Sequence, residues 1–93
     1  FPKRCKGFEE LLVSLNQGLP CVVSIKGPIN GGALPYQSGH LLVVCGYNPK
    51  ERTVLCMDPA FSSDEKTMVS YNYKDFLQAW QKRSYLAYLF ERL

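Results

Sequence analysis

The chain has 93 residues, 46% of them hydrophobic and 20% charged, with a net charge of +3. That bounds it to one domain, residues 1–93, or the C-terminal part of a larger one, with enough apolar mass for a single core. Its basic residues are scattered, with small clusters only near the start and at Lys82-Arg83, so the concentrated stripe of a nucleic-acid face is missing.

No apolar run approaches the roughly 18 residues of a membrane span. A single His and the lack of any C-x-x-C pair argue against structural zinc, and neither metal nor cofactor is expected. The opening Phe1-Pro2 in place of Met reads as a cut from something longer. Cys21, Cys45 and Cys56 sit inside apolar runs and are expected to be small buried thiols. Such thiols are compatible with a reducing compartment, while the localisation itself is not legible.

In chain order, residues 7–17 read as an amphipathic helix, because Phe8, Leu11, Leu12 and Leu15 repeat at i, i+3, i+4 and i+7. Glu9 and Glu10 suit its first turn, and Gly18 with Pro20 ends it. Cys21–Ile25 is a β-branched strand. Residues 26–38, rich in Gly, Pro, Asn and Ser, form a long loop of the kind that is functional or mobile in compact domains. Gly31-Gly32 within it reads as plain flexibility.

Leu41–Tyr47 and Thr53–Met57 are two further strands joined by a turn over Asn48–Arg52. The first is apolar on both faces, which predicts a central strand covered on both sides. Pro59 and the polar stretch Ser62-Ser63-Asp64-Glu65-Lys66 open a surface loop, and Thr67–Tyr71 is another strand. Asn72 is a suitable N-cap for a helix over Tyr73–Gln81, with Asp75 as a near match to a capping box. Its apolar stripe is Tyr73, Phe76, Leu77 and Trp80. Tyr85–Phe90 closes the chain as a strand. The order α-β-β-β-β-α-β specifies an α+β fold, an antiparallel sheet with flanking helices.

The hairpin carries a geometric inference about chemistry. With its apex near Pro49, facing residues sum to about 98: Val44 faces Val54, Cys45 faces Thr53, Leu42 faces Cys56, and His40 faces Asp58. The register sets an imidazole beside a carboxylate on one face, at the open end of the hairpin. It also points Cys45 and Cys56 to opposite sides, against a disulfide between them. A His oriented by a carboxylate is the base half of a nucleophilic triad. It is equally a pair that stabilises a sheet edge.

The surrounding residues add to this. Gly39-His40-Leu41-Leu42-Val43-Val44-Cys45-Gly46-Tyr47 fits G-H-x-x-x-V-x-G-Y, the next strand ends in Asp58-Pro59, and an aromatic helix with Tyr73, Phe76 and Trp80 follows. Over residues 8–90 the chain resembles the C-terminal half of C39-like members of the papain-like cysteine peptidases. The resemblance implies a papain-like half-domain belonging to a peptidase of polypeptide substrates, with His40 as general base and Asp58 orienting it.

The chain departs from that family in showing neither a Cys at the start of a long helix well upstream of the His nor the Gln before it. The nucleophile is therefore expected upstream, in the N-terminal half of the same domain, which could be a separate chain. Cys5 precedes a helix and is the candidate within the chain, disfavoured by its closeness to His40 and otherwise read as a mobile N-terminal thiol. Three functions remain, in order: the His/Asp half of a cysteine peptidase, inactive on its own; a C39-like peptide-binding module without chemistry; and a structural domain.

Overall fold

A computed structural model describes residues 1–61 and 67–91. The polar loop expected at Ser62–Lys66 lies outside the described residues. The elements are β1 (Pro2–Arg4), α1 (Glu9–Asn16), β2 (Cys21–Ile25), β3 (His40–Asn48), β4 (Thr53–Met57), β5 (Met68–Asn72), α2 (Tyr73–Gln81) and β6 (Leu86–Tyr88). The strands form one antiparallel sheet in the order β1-β6-β2-β3-β4-β5, so the α+β expectation holds.

Both helices end as their sequences dictate. At the end of α1, Gly18 takes φ +77°; Leu19 N–H donates to Ser14 O and Gly18 N–H to Leu15 O, the paired bonds of a Schellman stop. At the start of α2, Asn72 Oδ1 accepts from the backbone N–H of Lys74 and of Asp75 at 2.9 and 3.2 Å. Asp75 does not complete a capping box: its carboxylate accepts from Asn30 Nδ2 at 3.0 Å and ties the long loop to the helix.

The helices pack on one face of the sheet. Phe8 and Leu11 of the α1 region and Phe76, Ala79 and Trp80 of α2 bury against Cys21, Val23, Ile25, Leu42, Val44, Val54, Cys56 and Tyr71. Strand alternation sends the other residues outward: Leu41, Leu55, Met57, Met68 and Tyr88 are exposed apolar side chains. β3 is thus central but covered on one side only within this chain, a correction to the doubly covered strand. The opposite face is an open apolar surface.

Two strand expectations also change. The closing strand shrinks to Leu86–Tyr88, because Ser84 and Tyr85 take φ +56° and +57° in the turn before it. It inserts between β2 and a strand the sequence did not signal, β1, whose Pro2-Lys3-Arg4 is exposed throughout and has no apolar alternation to detect.

Candidate active site

The hairpin β3–β4 brings His40 and Asp58 together by a different register from the expected one. Asn48 Oδ1 accepts from the N–H groups of Lys50 and Glu51, and Arg52 turns the chain at φ +56°. The apex therefore falls beyond Pro49, and Asn48 pairs with Thr53, Tyr47 with Val54 and Gly46 with Leu55. A bulge at Cys45 then shifts the pairing to Val44 with Cys56 and Val43 with Met57. The pairs expected for Val44, Cys45 and Leu42 are all corrected by these shifts. Beyond the bulge the slip is two residues, which preserves the face; continued to Asp58, it sets that residue opposite Leu42, with His40 on the diagonal.

His40 Nε2 lies 2.7 Å from Asp58 Oδ1, with the imidazole side chain 17% exposed and the carboxylate fully buried. Asp58 Oδ1 also accepts from Ala60 N–H at 3.0 Å, and Oδ2 accepts from the hydroxyls of Tyr36 at 2.8 Å and Tyr71 at 2.5 Å. Burial pushes the carboxyl up, but the donors Tyr71, Ala60, His40 and Tyr36 outweigh it and leave the group below its ordinary value. Burial and the facing carboxylate raise both tyrosine hydroxyls, so each remains a donor. An ionised Asp58 fixes the proton of a neutral imidazole on Nε2, leaving Nδ1 as the ring nitrogen able to accept.

The imidazole is also held on its face. The ring of Tyr36 stacks on His40 with centroids 4.1 Å apart and planes 2° from parallel. Gly39, at φ +97°, makes the sharp entry into β3, and a side chain there would meet the Arg83 guanidinium. His40 and Arg83, with Ser24, Leu41, Pro59 and Tyr88, line an open depression of about 550 Å³ that runs onto the bare sheet face. Arg83 Nε donates to Ser24 Oγ at 3.0 Å.

The profile of the Peptidase_C39-like family matches residues 3–88. The chain belongs to that family. A C39-like peptidase candidate from Bacillus anthracis, known from a crystal structure, superposes over 99% of this chain with a TM-score of 0.72 at 24% identity. The present chain covers 51% of that protein, about half its length. No curated protein sequence matches.

Within this C39-like chain all four cysteines are free thiols. Cys45 stands on the bulge and is exposed, which corrects the expectation of burial; Cys56 is buried, and no disulfide joins the two. Cys5 is no mobile terminal thiol: it is buried, its N–H donates to Tyr85 O, and burial pushes its thiol up to about 11. It continues β1, which β6 and β2 separate from the His40-bearing β3. Three strand spacings amount to roughly 14 Å, so the structure does not bring Cys5 to His40.

Sequence reasoning did not find Tyr36, Tyr71, Ser24 or Arg83. A tyrosine in a Gly-rich loop and another in a short strand carry no local signal of a shared carboxylate. Among the described residues no cluster of three or more His, Cys, Asp or Glu is placed to hold a metal, and no helix is long and apolar enough to cross a membrane.

Proposed function

We propose that this chain is the His/Asp-bearing, papain-like half of a cysteine peptidase that cleaves polypeptides, and that its nucleophilic thiol comes from the N-terminal half of the same domain, upstream of these residues or on a separate chain. The observation that carries the reading is the 2.7 Å contact of His40 Nε2 with a buried Asp58 held ionised by its other donors. With Nε2 committed, Nδ1 takes the proton of an incoming thiol. The thiolate attacks the peptide carbonyl, and the imidazolium, stabilised by Asp58, returns the proton to the leaving amine. Water then hydrolyses the thioester with His40 again as base. Family membership, the half-length match and the open apolar face beside His40 all support the reading. That face is the natural seat for the complementary half.

A second reading, a C39-like module that holds a peptide without chemistry, is favoured by one observation: none of the four thiols is a hydrogen-bond partner of His40. Co-expression with the remainder of the parent polypeptide separates the two. The peptidase reading expects thiol labelling by an electrophilic peptide, and peptide cleavage, to fall by roughly 10²–10⁴-fold in His40→Ala. Equal labelling and equal cleavage with and without His40 sink it. Tight peptide binding that survives His40→Ala, with no cleavage in either protein, selects the module.

A further inference from the structure

We infer that Tyr36 is a positioning residue for His40, fixing the plane of the imidazole through its ring and the carboxylate partner through its hydroxyl. The inference rests on the proposed role of His40 as base. An imidazole held by one hydrogen bond at Nε2 can still tilt about that bond. The parallel Tyr36 ring, at 4.1 Å, removes that freedom. The same side chain donates to Asp58 Oδ2 at 2.8 Å and accepts from Ala33 N–H at 3.3 Å, so ring and hydroxyl act on the two members of one pair.

The backbone is built to hold this tyrosine in place. Tyr36 takes φ +50°, a left-handed conformation that non-glycine residues rarely adopt. Its carbonyl accepts from Gly27 N–H at 2.9 Å and from Gly39 N–H at 3.2 Å, which pins both ends of the long loop to one residue. Gly32 packs against its ring: a Cβ there would lie 3.1 Å from Tyr36 Cε2 and 3.0 Å from Ile29 O. The Gly31-Gly32 pair is therefore not mere flexibility; Gly32 makes room for Tyr36.

Tyr71 supplies the internal contrast. It donates to the same Oδ2 but has no ring contact with His40 among the described aromatic pairs. The charged and titratable groups around the pair are Tyr36 from the loop, Asp58 from the end of β4, Tyr71 from β5 and Arg83, which follows α2 and shares the depression with His40.

The test is NMR on the full 93-residue chain with a neutral imidazole, reading the His40 ring nitrogens and carbon-bound protons. The wild type is expected in the Nε2–H tautomer, with ring protons moved upfield by the stacked tyrosine. Tyr36→Phe keeps the ring and with it the upfield shift, while the loss of its hydroxyl bond to Asp58 leaves the tautomer ratio between those of the wild type and Tyr36→Asn. Tyr36→Asn tolerates the left-handed backbone but removes the ring. It is expected to lose the upfield shift and to move the tautomer ratio toward Nδ1–H by about two- to tenfold, the range of an aromatic pair contact. Tyr71→Phe is expected to leave the ring-current shift in place.

The inference is overturned if wild-type His40 shows no upfield shift, a result that needs no variant to fold. It is equally overturned if Tyr36→Asn leaves the tautomer ratio unchanged, or if Tyr71→Phe alters the His40 signals as much. Peptide cleavage does not enter this measurement. A catalytically silent His40 would defeat the peptidase reading and leave the positioning result standing.

Discussion

Replacing Asp58 tests the electrostatic frame of the site without any assay of function. In Asp58→Ala the hydroxyls of Tyr71 and Tyr36 lose their acceptor in places where Tyr71 is wholly buried and Tyr36 nearly so. A buried donor left unpaired costs about 1–3 kcal/mol, and two such donors set the scale. His40, part-exposed, and Ala60 N–H regain water more readily. Relief of the carboxylate's desolvation returns part of the loss, which leaves a net cost of about 2–4 kcal/mol.

For a domain of this size that corresponds to a melting temperature lower by roughly 10–25 °C. Asp58→Asn keeps one acceptor for His40 and Ala60 and turns donors toward hydroxyls that can rotate to accept. Its loss is expected near 1 kcal/mol, about the worth of one hydrogen bond. Urea unfolding followed by the fluorescence of Trp80, the single tryptophan and fully buried, reads both variants. Because Asp58 sits below its ordinary value in the folded chain, its contribution is present above the unfolded carboxylate value. It disappears as pH falls through the lower folded value. The gap between wild type and Asp58→Asn therefore narrows on acidification. A loss below about 0.5 kcal/mol in Asp58→Ala, the range of an ordinary surface substitution, refutes the reasoning.

Thiol accessibility gives a second check. Cys45 is expected to react with a small maleimide much faster than Cys5, Cys21 or Cys56, the three buried thiols, as read by peptide mass mapping; comparable rates at Cys56 contradict the hairpin geometry. Gly32→Ala is expected to cost about 1–3 kcal/mol, as overpacking does, because the new methyl would sit 2.9 Å from Ile29 Cγ2 and 3.0 Å from Ile29 O. A thermal melt unchanged from wild type would remove the packing role given to Gly32.

The extent to which the sequence was legible follows the range of the interactions. β2, β4 and α2 were readable to the residue, since β-branched runs and the i, i+3, i+4 stripe are local patterns, and Asn72 caps α2 through its own next three residues. β1 was silent because an exposed three-residue edge strand needs no apolar pattern; it exists through its pairing with β6. The covered face of β3 was readable and the bare one misread, since Leu41, Val43 and Cys45 look like core from sequence alone. Tyr36 and Tyr71 reach Asp58 across 22 and 13 residues, distances over which no local periodicity carries information.

The pairing of His40 with Asp58 survives the wrong register for a physical reason. Side-chain direction in a strand depends only on parity, so a slip of two leaves both residues on the core face and moves the partner from directly opposite to diagonal. The turn alone imposes an odd offset, since pairs near it sum to 101 and would send Asp58 to the other side. The bulge at Cys45 absorbs one residue, restores the even offset from Val44 onward and returns the carboxylate to His40. Cys45 thus matters to the site through its backbone, while its exposed thiol faces away on the open side. A deletion that removes the bulge should separate His40 from Asp58 even where the rest of the sheet still forms, whereas substitution of the thiol alone should leave their 2.7 Å contact unchanged.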